Sequence, residues 1–427
     1  MKHSKAYREQ IKALSDRIVL AQQPIRILDA INWDDSIRQE FLAGGGKKLP
    51  PVDADYYREN RPLSFDPAEK KREFHEIERD LTRKLGQLNP LSLIMRRICR
   101  EYQMVVRMLE SRGRVEFANF SQELYGSATD VFHAGDPTLA DLGSQMEETL
   151  ANLMQLDFLR DEPKTLSAAE AVELLNQRIS ASLPGAGVRV IVSDGIVADA
   201  AAGTDYIKLR GEAKFNLRDI RVLEVHEGWV HLGTTLNGAS QPYCTFLSKG
   251  PPSSTITQEG LATMTEILSF GSTPTRLQRL INRVRAVTIA EEGANFIEVF
   301  DFFRDKGYDA DEAWTLTSRV FRGSTPKGLP FTKDLTYIKG FVLTYNFIRL
   351  AVSKGKPQRI PLLFCGKTMI DDMKVIADLV EEGVVVPPKY LPPYFSDLMG
   401  LTAWFSFSRF MTSLNFQQLE SDYANIL

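Results

Sequence analysis

Apolar residues recur at three- and four-residue spacing through much of the first 180 positions, which is the period of an amphipathic helix. Ile11, Leu14, Ile18 and Leu20 predict such a helix within 4–30. Asp66 as cap, Pro67 at the first position and Gly86 just past the end bound a long charged helix. Leu91, Ile94, Ile98, Tyr102, Val105 and Leu109 mark a core-facing stripe on a helix from about Pro90 to Ser111, with Arg96, Arg97, Arg100 and Arg107 on its solvated face. Further helices are expected over 117–125, over 138–158, and over 167–183, where Ser167 and Glu170 form a capping box. The Pro- and Tyr-rich segment 51–66 reads as ordered but irregular. Gly44-Gly45-Gly46 before Lys47 and Lys48 follows no strand and lacks the phosphate-loop pattern, so it reads as a loop.

The period changes at Gly187. Residues 187–192 (GVRVIV) alternate and are β-branched, and Ile196–Ala200 and Tyr206–Leu209 read as two more short strands joined by Gly- and Asp-containing turns. Helical spacing returns over 275–290, 294–306, 311–322, 332–353 and 367–382. A last apolar helix, 396–414, carries Trp404, Phe405, Phe407 and Phe410 as expected core residues. The fold class is therefore α+β and predominantly helical. An N-terminal helical region covers 1–160, and 161–427 forms a second domain with a small sheet at its start.

Bulk properties narrow the function classes. Hydrophobic residues at 43% and charged ones at 25% of 427 are ordinary for a globular protein. A formal charge of −3, from 52 basic and 55 acidic residues, gives no electrostatic case for nucleic acid. Three cysteines, at 99, 244 and 365, are odd in number and far apart, which fits a reducing compartment and leaves no Cys-based metal site. The charged N-terminus has no signal-peptide apolar core, and Leu398–Ser408 is too short to span a bilayer. The expectation is a cytoplasmic protein without membrane or nucleic-acid partners.

The chemistry concentrates at 226–231, His-Glu-Gly-Trp-Val-His. The familiar zinc-peptidase motif spaces its histidines four apart on one helix face. Here they are five apart, and at about 100° per residue α-geometry would set them roughly 140° from one another. A single wider π-type turn would realign them, and Gly228 sits where it would ease that distortion. His226 and His231 are thus candidate metal ligands. Glu259 in Thr257-Gln258-Glu259-Gly260-Leu261-Ala262 is the candidate third, placed in the first turn of a helix that Thr257 caps after a Gly-, Pro- and Ser-rich loop over 237–256. Glu227, between the histidines, suits a general base acting on metal-bound water. The alternative is a surface helix that carries two histidines by chance. His75-Glu76 begins a similar string but lacks the second His.

These stretches resemble the QEGLA-motif family, whose bacterial members are labelled flavohaemoglobin expression-modulating and whose animal members are microtubule-associated tyrosine carboxypeptidases. The resemblance rests on HEGWVH, Leu236-Asn237-Gly238 with Gln241-Pro242, QEGLA at 258–262, RVFRG at 319–323, FTKDLTYIKG at 331–340 and LFCGK at 363–367. It runs from about residue 160 to 400. It implies a zincin-like metallopeptidase with one Zn²⁺ on His226, His231 and Glu259, Glu227 as catalytic base, and a peptide or protein C-terminus as substrate. Between Gly238 and Thr257 the chain departs from the animal members, so tubulin specificity is not implied. Tyr337 is the candidate donor to the oxyanion, with a packed core tyrosine as the alternative. Arg319 and Arg322, three apart, are candidates to hold a terminal carboxylate; the alternative is a salt bridge to Asp334 or Glu312. Lys214 and Arg218 are further candidates for that task. The rival function is a non-catalytic regulatory or metal-sensing protein that modulates expression of another, and Glu227 separates the two, since a structural site has no use for a free carboxylate beside the open position.

Overall fold

Local signals set most helix ends. Asp66 accepts from the Glu69 N–H, Pro67 opens the helix Pro67–Leu85, and Gly86 leaves it at φ +100, a region that favours glycine. The next helix, Pro90–Glu110, buries all six stripe residues, and its Tyr102 stacks on Phe74 with ring centroids 5.4 Å apart. The computed structural model describes residues 4–159, 161–193, 196 and 198–424. One apolar core draws on helices from 11–125 and on residues 230–405 together. A second gathers Phe296, Phe300 and Trp314 around the Phe41 ring.

The third core lies under a three-stranded sheet. Its strands are β1 (Arg189–Val192), β2 (Ala200–Ala202) and β3 (Tyr206–Leu209), in the order β1-β3-β2. β1 runs parallel and β2 antiparallel to β3, so β2 is an edge strand. The sheet and the helix Ala168–Ser182 share the apolar core residues Ala171, Leu175, Ile179, Val190, Ile207 and Leu209. The expected strand at 196–200 is replaced by one at 200–202; Val197 lies outside the described residues.

From the sheet the chain enters the helix Leu217–Leu223, passes straight into a π-helix, Glu224–Leu232, and continues as Gly233–Ala239. The QEGLA residues lie on the helix Pro252–Leu268, which crosses the helix Thr336–Ser353. Here two glycines are obligatory. A Cβ on Gly260 would lie 2.1 Å from the Gly340 carbonyl oxygen, and one on Gly340 would lie 2.0 Å from that of Ile256. The two backbones touch, and the contact anchors the segment that carries Glu259.

Three expectations need correction. Thr257 is not an N-cap: the helix starts at Pro252, where a proline loses no hydrogen bond, so Glu259 sits two turns in. Thr257 Oγ1 instead accepts from the Ile370 N–H at 3.3 Å. Segment 51–66 contains a short helix, Ala54–Asn60, capped by Asp53. The C-terminal helix Leu398–Met411 buries Phe405 but leaves Trp404, Phe407 and Phe410 more than half exposed, because no neighbour covers that face among the described residues. No helix among the described residues is long and apolar enough to cross a membrane.

Alanine favours helices over glycine by about 1 kcal/mol, so propensity alone predicts that Gly260→Ala stabilises. The backbone contact predicts the opposite, a loss of about 1–3 kcal/mol from overpacking. Chemical denaturation of Gly260→Ala decides the sign, and a gain in stability would contradict this packing.

Candidate metal centre

A wide turn changes which backbone carbonyls are satisfied, and polar side chains collect there. The His231 carbonyl accepts from Thr235 Oγ1 at 2.8 Å, Thr234 Oγ1 at 3.2 Å and Lys367 Nζ at 2.7 Å. Gln258 Oε1 ties the same group together, accepting from Thr234 Oγ1 at 2.8 Å and Lys367 Nζ at 2.9 Å. Burial pushes the Lys367 ammonium down to about 7, although Glu259 and Glu227 oppose the shift. Gly228 serves packing: a side chain there would meet Ile179 Cδ1 at 2.3 Å.

The π-turn does what the five-residue spacing requires. The His226 and His231 rings approach with centroids 4.7 Å apart, and each Nε2 lies 3.5 Å from Glu259 Oε2. Ligand atoms of His226, His231 and Glu259 all fall within 4.8 Å of one another. Glu259 Oε2 is buried with no aligned hydrogen-bond donor, an acceptor aimed at the space between the imidazoles. Two imidazoles and a carboxylate are the donor set of a catalytic zinc with one position open, so these residues fit the ion. Glu259 Oε1 is turned toward Lys333 Nζ at 3.3 Å.

Behind this set stands a second tier that the sequence reading did not name. His226 Nδ1 donates to Glu266 Oε1 at 2.6 Å, which leaves Nε2 facing the site. Glu266 is fully buried and is gripped by both Nε and Nη2 of Arg276. Burial alone would raise the Glu266 pKa, but Arg276 holds it at about 2. Burial likewise opposes the imidazolium of His226, yet Glu259 and Glu266 pull its pKa well above the usual histidine value, so proton and metal compete there. Glu266 lies two turns beyond Glu259 on one helix, a spacing that would have pointed to it had the helix start been placed at Pro252.

Glu227 stands beside the ligands without joining them. Its Oε2 accepts from the N–H of Ala202 on the edge strand β2 at 2.9 Å, and Oε1 lies 4.0 Å from His226 Nε2. The Tyr337 ring stacks near His226, with centroids 6.4 Å apart. These residues could hold a metal ion, and Glu227 is a further carboxylate beside them. The family model of the microtubule-associated tyrosine carboxypeptidases matches residues 39–413. The chain belongs to that family. No curated protein matches it.

The substrate candidates separate. Arg319 grips Asp334 through Nε at 2.9 Å and Nη2 at 2.6 Å, both residues buried, so this guanidinium is already occupied. The salt bridge named as its alternative is the one observed. Arg322 is buried over the Phe331 ring at 5.7 Å, and its Nε has no acceptor. Arg218 is exposed and donates to the Phe270 carbonyl, and Lys214 is exposed; neither contacts the ligands among the described residues.

Replacing Glu266 by Gln keeps the shape but removes the charge behind His226. Loss of such a partner weakens metal binding by about 10- to 100-fold. Titration of Glu266→Gln against a competing zinc chelator measures this, and an unchanged affinity would remove Glu266 from the site.

Proposed function

We propose that this protein is a zinc-dependent carboxypeptidase that removes a C-terminal residue, tyrosine-like by family, from a peptide or protein. The convergence of His226, His231 and Glu259, with Glu227 alongside and unliganded, carries the reading. The edge strand β2 beside the π-helix supports reading the arrangement as zincin-like. His226, His231 and Glu259 would hold the ion, which would supply a Lewis acid for the carbonyl and the attacking water.

The remaining work falls to side chains. Glu227 is held through Oε2 by Ala202, which leaves Oε1 to take the proton of the attacking water and later hand it to the leaving amine. Tyr337, stacked beside His226, is placed to donate to the developing oxyanion. Buried walls around His226 and Glu259 keep bulk water out and strengthen each of these interactions.

Mass spectrometry of peptides with varied C-termini provides the test. Wild-type protein should release the last residue, and Glu227→Gln should lose about 10²- to 10⁴-fold in rate with its zinc content intact. Equal rates for the two proteins would overturn the assignment of Glu227 as base.

A further inference from the structure

Cationic side chains crowd around Tyr337, and most already have a partner. Arg276 holds Glu266, Arg319 holds Asp334 and Lys333 reaches Glu259. Arg322 has no such partner but is turned to the Phe331 ring, and Arg283 has none either. It projects from the helix Pro274–Glu291 two turns beyond Arg276, on the same face. Its guanidinium lies 5.2 Å over the Tyr337 ring, the ring that stacks near His226. Its Nε is shut off from solvent without an acceptor, and among the described residues it makes no hydrogen bond or ion pair.

Arg283 is part-exposed, but its Nε is closed off, and a guanidinium donor shut away without a hydrogen-bonded acceptor is costly. Burial pulls the Arg283 pKa below the usual arginine value and repulsion from Arg319 adds to the shift, while Asp334 and Tyr337 oppose it. Arginine offers a planar fork that matches a carboxylate through two parallel hydrogen bonds. In a peptide cut one residue from its end, the terminal carboxylate lies about 4 Å from the scissile carbon, roughly one Cα–Cα step. Arg283 and His226 both lie against Tyr337, at 5.2 and 6.4 Å from its ring centroid, so one tyrosine side chain joins the guanidinium to the metal site.

We infer that Arg283, seated on the Tyr337 ring, holds the free C-terminal carboxylate of the substrate and so restricts the site to chain ends. The inference rests on the carboxypeptidase reading for the nature of its ligand. It differs from the sequence expectation of Arg319 or Arg322 in the residue: Arg319 is occupied by Asp334 and Arg322 lies over Phe331, whereas Arg283 lies over Tyr337. Because Tyr337 carries the guanidinium on its face, one tyrosine links the carboxylate anchor to the metal ligands.

Binding separates this proposal from the activity. Zinc-loaded Glu227→Gln protein is titrated by calorimetry with N-acetyl-glycyl-tyrosine and with its C-terminal amide. The free acid should bind about 10- to 100-fold more tightly than the amide, as a charge-assisted pair allows. Adding Arg283→Gln should abolish that preference while zinc content and melting temperature hold. Arg283→Lys, which keeps the charge but loses the fork and guards against a misfolded Gln variant, should retain part of it. A preference that survives Arg283→Gln overturns the proposal, as does equal binding of acid and amide or binding of neither. If the preference appears and depends on Arg283, yet the wild-type protein releases no residue from any peptide, the carboxypeptidase reading falls and the carboxylate anchor stands.

Discussion

Two histidines five residues apart can face one point only if the helix between them is wider than an α-helix, and much of this structure supports that one distortion. The π-helix Glu224–Leu232 realigns His226 and His231 and presents the His231 carbonyl to three side-chain donors. Thr234, Thr235, Lys367 and Gln258 answer this need, which explains why stretches far apart in sequence belong to one site. Lys367 is satisfied by the His231 carbonyl and Gln258, so its role is local: it braces the wide turn.

The second constraint is charge. Several ionised groups lie in a poorly solvated interior, and each would be destabilising alone. They are arranged in pairs, Glu266 with Arg276 and Arg319 with Asp334, each gripped through two nitrogens. The pairs do different work. Glu266 fixes the ring of His226, whereas Asp334 neutralises Arg319. The backbone contact between Gly260 and Gly340 brings both sets together, since it seats the QEGLA helix against the helix that bears Tyr337.

Much of this was legible in the sequence where local rules act without competition. The spacing of His226 and His231 demanded a π-turn, and Asp66, Pro67 and Gly86 marked a helix to the residue. The start of the QEGLA helix is less legible because two start signals compete there. Thr257 has the right chemistry for a cap, but Pro252 starts the helix earlier, and Glu266 was missed with it. The pairing of Arg319 with Asp334 and the open fork of Arg283 depend on how distant helices cross, which periodicity does not encode. The aromatic face of Leu398–Met411 shows the same limit: a stripe of Trp404, Phe407 and Phe410 gives the helix and its apolar side, but not whether anything packs on it.

The central claim is that His226, His231 and Glu259 bind one zinc ion, and anomalous diffraction at the zinc edge from crystals of the zinc-loaded protein tests it most directly. The account predicts one strong peak, about 2.0–2.2 Å from Nε2 of both histidines and from a Glu259 oxygen. A peak elsewhere, or none in a folded protein grown with excess zinc, would contradict it.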